Sequence, residues 1–226
     1  MIAAAALCPG PPLLAPEISG TDPAAAALRA ACDTAVGALL DAAPDRVVVV
    51  GTGASTAAWP SSARADLAAY GAVSASGTPV APLSVGLGAL LLDRAGFAGI
   101  RDLCTIGLDA TAAECRSLGT WLAADAERVG LLVMADGSAR RTLKAPGYLD
   151  PRAEGYDGEV QRAIADGDLA ALTRLDPVLA GELMAPGWAA LQVLAAALDS
   201  APVAATVHYA NAPFGVGYLV ANLTRQ

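Results

Sequence analysis

Histidine is almost missing from this chain: His208 is the only one in 226 residues. One imidazole cannot supply a metal centre or catalytic array that needs two. Lysine is equally scarce, with Lys144 alone, and the 14 lysines and arginines are outnumbered by 22 aspartates and glutamates, for a formal net charge of −8. With no basic run and no basic patch interleaved with aromatics, the surface repels a phosphate backbone, and nucleic acid is not expected as a partner. The four cysteines, Cys8, Cys32, Cys104 and Cys115, are widely spaced and form no Cys-x-x-Cys pair. A zinc knuckle or disulfide framework is therefore not indicated, and buried reduced thiols are expected. Long apolar runs are lacking too, because Gly, Pro or charge interrupts each one before the roughly 20 residues of a membrane span. No membrane-crossing helix is expected. Met1 to Ala6 carries no basic residue, and Pro9, Pro11 and Pro12 break the apolar stretch behind it, unlike a secretory leader. The expected location is the cytoplasm.

What the chain does have is a high apolar content, 55%, much of it alanine, and enough length for one compact domain over residues 1–226. Ile2 to Leu7 is a short apolar run stopped by Cys8-Pro9-Gly10-Pro11-Pro12, which predicts a strand and a tight loop. Asp22-Pro23 supplies a helix cap and an N1 proline, and Leu28, Ala31, Cys32, Ala35, Leu39 and Leu40 recur at helical spacing up to Pro44. Arg46 to Gly51 holds four consecutive valines, the pattern of a strand covered on both faces, as in parallel sheets.

From Gly53 to Thr78 the periodicity fades, which predicts a long loop. Helices are expected at Leu83 to Ala95 and Ala110 to Ala124, and strands at Leu103 to Leu108 and Val129 to Ala135. Pro146 to Tyr156 reads as loop, and three or four short helices fill Asp157 to Asp199, capped at Asp168 and Asp176. Val203 to Tyr209 and Gly217 to Leu223 make a closing strand or hairpin. This βα rhythm predicts an α/β fold with a mostly parallel or mixed central sheet and helices on both faces.

Two motifs bracket the chain: Cys8-Pro9-Gly10-Pro11-Pro12 after the first strand, and Ala212-Pro213-Phe214-Gly215-Val216-Gly217-Tyr218 near the end. With the βα pattern between them, they resemble the catalytic chains of the class III extradiol ring-cleavage dioxygenases. The resemblance implies a helix-flanked mixed sheet and a non-haem iron(II) held by two His and one Glu, beside an acid-base His. Carried onto this chain, the first metal His falls on Gly10. The second belongs in or after the loop following Val47 to Val50, around Gly53, where no His occurs between Pro44 and Pro79. The acid-base His falls on Ala139, next to Ser138. Only Glu182, in Gly181-Glu182-Leu183-Met184 before Trp188, is a candidate survivor, at a looser spacing to its Trp than the family pattern has.

The expectation is therefore a relative of these enzymes with its iron site dismantled: no metal, no cofactor, and a non-catalytic small-molecule-binding or scaffold role. The expected cleft comprises Gly10, Gly53, Ser138, Ala139, Arg140 and Glu182, with Arg140 or Arg141 bound to Glu182 in the former iron position. The resemblance also implies a homo-oligomer. The alternative is an oxidoreductase acting on catechol-like aromatics through a rebuilt site, drawing on Cys8, Asp136, Glu182 and Arg140. Gly51-Thr52-Gly53-Ala54-Ser55-Thr56 lacks the third glycine and the Lys-Ser/Thr ending of nucleotide loops. Ser55, Ser138, Asp136 and His208 lack the Gly-x-Ser-x-Gly elbow of a hydrolase. His208 itself, in an alternating segment, reads as a hydrogen-bonded structural residue.

Overall fold

The computed structural model describes residues 1–72, 77–125, 127–198 and 202–225. Strand β1 (Ile2–Cys8) ends at the proline loop, where a short 3₁₀ turn (Pro12–Leu14) and helix α1 (Pro16–Ser19) follow. Helix α2 (Pro23–Asp41) starts where Asp22 accepts the Ala25 N–H. Its length and hydropathy would suit a membrane span, but Leu28, Cys32, Ala35, Val36 and Leu39 pack into the core beside β1. β2 (Arg46–Gly53) carries the four valines, all buried.

The stretch expected to be a long loop instead contains β3 (Ala57–Trp59), β4 (Arg64–Ala65) and a 3₁₀ turn (Ala68–Tyr70); its residues 73–76 lie outside the described ones. β3 forms through antiparallel pairing with a strand distant in sequence, a partner that local periodicity cannot announce. β4 pairs with β5 (Val80–Ala81) in a two-stranded ribbon. Then come α3 (Leu83–Arg94), β6 (Ile100–Gly107), α4 (Ala112–Ala123) and β7 (Val129–Met134). α4 opens on a capping box in which Thr111 and Glu114 satisfy each other's backbone amides.

Helices α5 (Ala153–Ala165), α6 (Leu169–Thr173), α7 (Pro177–Glu182) and α8 (Trp188–Leu198) fill the region read as several short helices, with Asp168 and Asp176 capping as expected. α5 begins inside the stretch read as loop, and Asp199 lies outside the described residues. β8 (Val203–Asn211) and β9 (Tyr218–Arg225) form the closing antiparallel hairpin.

Seven strands make one mixed sheet in the order β3-β6-β2-β7-β1-β9-β8, the four from β6 to β1 running parallel. α2 and α3 cover one face, and α4, α5, α6 and α8 the other. Two close approaches set the helix positions. At Gly88 on α3 a Cβ would stand 2.4 Å from Val49 Cγ1 of β2. At Gly119, α4 meets α8 so tightly that a Cβ would lie 2.5 Å from the Val193 carbonyl oxygen and 2.7 Å from Ala196 Cβ. The carboxyl ends of the parallel strands, where open α/β sheets hold their ligands, all point to one side of the molecule.

Candidate functional site

At those strand ends lies a cleft of about 850 Å³, a size suited to a small organic molecule. The loop after β1 contributes Gly10 and Pro12, the loop after β6 Leu108 and Asp109, the loop after β7 Asp136 and Ala139. The far wall is the α7–α8 corner with Met184 and Trp188, and the hairpin closes it with Tyr218. Apart from Asp109, Asp136 and the Tyr218 hydroxyl, the side chains are apolar.

Asp136 is the most constrained polar group. It stands two residues beyond the end of the buried strand β7, and its backbone carbonyl accepts the Gly187 N–H at 3.1 Å, tying the start of α8 to it. No side chain fits at 187, where a Cβ would come within 2.4 Å of that oxygen. Asp136 Oδ1 accepts the Gly10 N–H at 3.0 Å, and among the described residues Oδ2 accepts no hydrogen bond. Burial pushes this carboxyl up to about 6, against a smaller lowering by the Gly10 amide. The Tyr218 phenol is raised by its own burial and then by the charge of Asp136. At Gly10, by contrast, a Cβ meets only ordinary contacts, 3.6 Å from Ser84 Cα and 3.9 Å from Asp136 Oδ2, so position 10 has room for a side chain.

Behind the loop, Asp157 of α5 holds the structure that presents Asp136. Its Oδ1 accepts the Ser138 N–H at 2.9 Å and its Oδ2 binds the Arg141 guanidinium at 2.9 Å. Gly137 and Gly217 press against the same carboxylate, where a Cβ would come within 2.6 and 2.1 Å of its oxygens. Burial raises the Asp157 carboxyl, and the Ser138 amide and Arg141 lower it in turn. A second cavity of about 380 Å³ opens on this side, sharing Asp136, Gly137 and Tyr218 with the cleft. The Tyr156 hydroxyl beside it is buried and has no hydrogen-bond partner among the described residues.

The six residues expected to share a cleft are only partly brought together. Gly10 and Ala139 line it. Gly53 sits one layer behind, its carbonyl accepting the Leu108 N–H, and a Cβ there would press on Thr105. Ser138 is fully buried in the wall, its hydroxyl donating to the Leu183 carbonyl. Arg140 does not line the cleft, and its Cγ packs over Gly147. Glu182 is the clearest correction: it lies at the surface and pairs with Arg152 at 2.7 Å, while Arg141 pairs with Asp157 and Glu154. The reason is helical phase. Ala180 is buried on α7, and two residues further on, about 200° around the helix, Glu182 faces water. Cys8, named with Glu182 for a rebuilt site, is buried against Cys32, and the described residues contain no group of three His, Cys, Asp or Glu that could hold a metal.

Gly51–Gly53 continues strand β2 instead of opening a helix, so no phosphate-binding turn exists there. His208 Nε2 lies 2.7 Å from Asn222 Oδ1 across the closing hairpin, and the Asn222 amide donates to the Ala35 carbonyl. That partner keeps it apart from Asp136 and Ser138. Tyr218, Trp188 and Asp109 were not legible as site residues. The available signal was position, since Asp109 and Asp136 each stand just beyond the carboxyl end of a parallel strand.

No protein-family model matches the chain, and no curated protein does. Among solved structures, an uncharacterized protein from Escherichia coli K12 shares the fold, with a TM-score of 0.54 over 98% of this chain and 99% of that one at 16% identity.

Proposed function

We propose that this chain is a relative of the class III extradiol dioxygenases that has lost iron chemistry and binds a small, largely apolar molecule in the strand-end cleft. The observation that carries the reading is the joint position of Gly10 and Ala139. Both are sites where the resemblance puts a histidine, and both line one cleft with Asp136. The residues present do not fit an iron(II) ion: the only histidine is engaged on the hairpin, Glu182 is turned to solvent, and among the described residues lining the cleft only the carboxylates of Asp136 and the exposed Asp109 remain. The cytoplasm suits four thiols that are all free.

A second reading, acid-base or redox work on a catechol-like aromatic, draws on Asp136, whose carboxyl titrates near 6 and so close to the range where a general base is effective. One experiment tests the loss of iron chemistry. Protein purified without chelators is assayed for metal, reconstituted with iron(II) under nitrogen, and given catechols in air while the ring-opened product is followed by absorbance. The expected result is substoichiometric iron and no product. Stoichiometric, tightly held iron with turnover would overturn the proposal.

A further inference from the structure

The lining of the cleft has a one-sided charge. Asp136 and Asp109 both face it, and no lysine, arginine or histidine is among the described residues that line it. Asp136 Oδ1 is occupied by the Gly10 amide, while Oδ2, the oxygen toward the open space at Gly10, has no partner among the described residues. An ionised carboxylate among apolar walls is costly without a counter-charge. Among the described residues that line the cleft none supplies one: the Arg140 Cγ packs over Gly147 and its charge acts on Asp150, Arg141 pairs with Asp157, and Arg152 pairs with Asp150 and Glu182. The same cleft is walled by aromatic and apolar surfaces, Trp188, Tyr218, Pro12 and Met184 among them. The Trp188 indole N–H is committed to the Leu175 carbonyl, so the ring offers the cleft its hydrocarbon surface.

We propose that the ligand of this cleft is a cationic amine with an aromatic or similarly apolar body, its ammonium group bound at Asp136 Oδ2 and its body against the Trp188 wall. This rests on the reading of the cleft as a small-molecule site and names the chemical class it takes. A carboxylate among apolar walls favours an ammonium over an uncharged hydroxyl of the same shape, and the aromatic faces add attraction for the cation. The net charge of −8 draws cations toward the protein and repels anions.

The test uses the full chain and two isosteric pairs, 2-phenylethylamine with 2-phenylethanol and tryptamine with tryptophol, titrated calorimetrically at pH 7.5 and pH 5. Each amine is expected to bind about tenfold or more tighter than its alcohol at pH 7.5, the scale of a charge-assisted hydrogen bond. At pH 5, below the value of about 6 to which burial raises Asp136, the amines lose most of that advantage and the alcohols are unchanged. Asp109, on the rim, and Tyr218 are the other titratable groups facing the site; Asp109→Asn leaves the advantage largely in place, while Asp136→Asn abolishes it. Should Asp136→Asn fail to fold, the isosteres and the pH comparison in the unaltered chain still decide.

Alcohols binding as tightly as amines would overturn the cationic assignment and leave the apolar cleft standing. Tight saturable binding of Mg²⁺ or Zn²⁺ alone, lost in Asp136→Asn, would overturn it in favour of a metal. Absence of binding by all four probes, or binding undiminished in Gly10→Phe, which fills the cleft beside Asp136, would remove both the assignment and the small-molecule reading.

Discussion

Asp136 carries a cost that the Gly10 amide relieves only in part. Folding raises its carboxyl from the ordinary 3.8 to about 6, so between those values the native chain holds more protons than the unfolded one. Stability contributed by this residue therefore falls as pH rises from about 4 to about 6 and stays low above that. Asp136→Asn is expected to remove this dependence and to be more stable than the parent at pH 8 by about 1–2 kcal/mol, with little difference at pH 4. Urea unfolding at the two pH values checks it; a less stable variant at pH 8 would mean that the carboxylate is partnered after all. Asp157 is the opposite case, a carboxylate whose neighbours depend on it. Asp157→Ala strands the Ser138 amide, leaves Arg141 with only the exposed Glu154, and is expected to cost about 2–4 kcal/mol. Asp157→Asn, still able to accept the Ser138 N–H, is expected to cost less, as equilibrium unfolding would reveal.

Among the elements, those with a local cause were legible in the sequence. Asp22, Asp168 and Asp176 cap where their position before an apolar or proline-led turn says they should, and the valine run of β2 is buried on both faces. β3 was not legible, because Ala57-Ala58-Trp59 becomes a strand only by pairing with β6, in a register set some 46 residues away. The orientation of α7 was lost for a different reason. At six residues it is too short for a hydrophobic stripe to declare which side faces the core. Glu182 consequently seemed free to point inward, whereas the burial of Ala180 fixes it outward. Glu182→Gln is accordingly expected to leave amine binding unchanged and to leave the melting temperature within error, the pair with Arg152 being half exposed. Combining it with Arg140→Ala or Arg141→Ala should give additive effects; measurable coupling in a double-mutant cycle would restore the inward-facing Glu182.

For the molecule as a whole, the sheet and its two helical layers follow from the alternation of apolar strands and helices, but the cleft does not. It needs Gly10, Asp109, Asp136, Trp188 and Tyr218 from five separate segments, and their meeting is a property of strand order. The packing of α4 on α8 extends that property beyond the cleft. Because the two helices meet backbone to backbone at Gly119, there is no compressible layer between them, and α8 begins at Trp188, in the cleft wall. Gly119→Ala should cost about 1–3 kcal/mol of stability. Its added methyl can be accommodated only by moving α8, so the same substitution should also alter amine affinity, measurable by calorimetry on the folded variant; unchanged affinity would mean that α8 yields locally. The width of the binding site is thus governed in part from the back of the protein. A surface or partner that shifted α4 by a fraction of an ångström would be felt by the ligand as a change in the shape of its pocket.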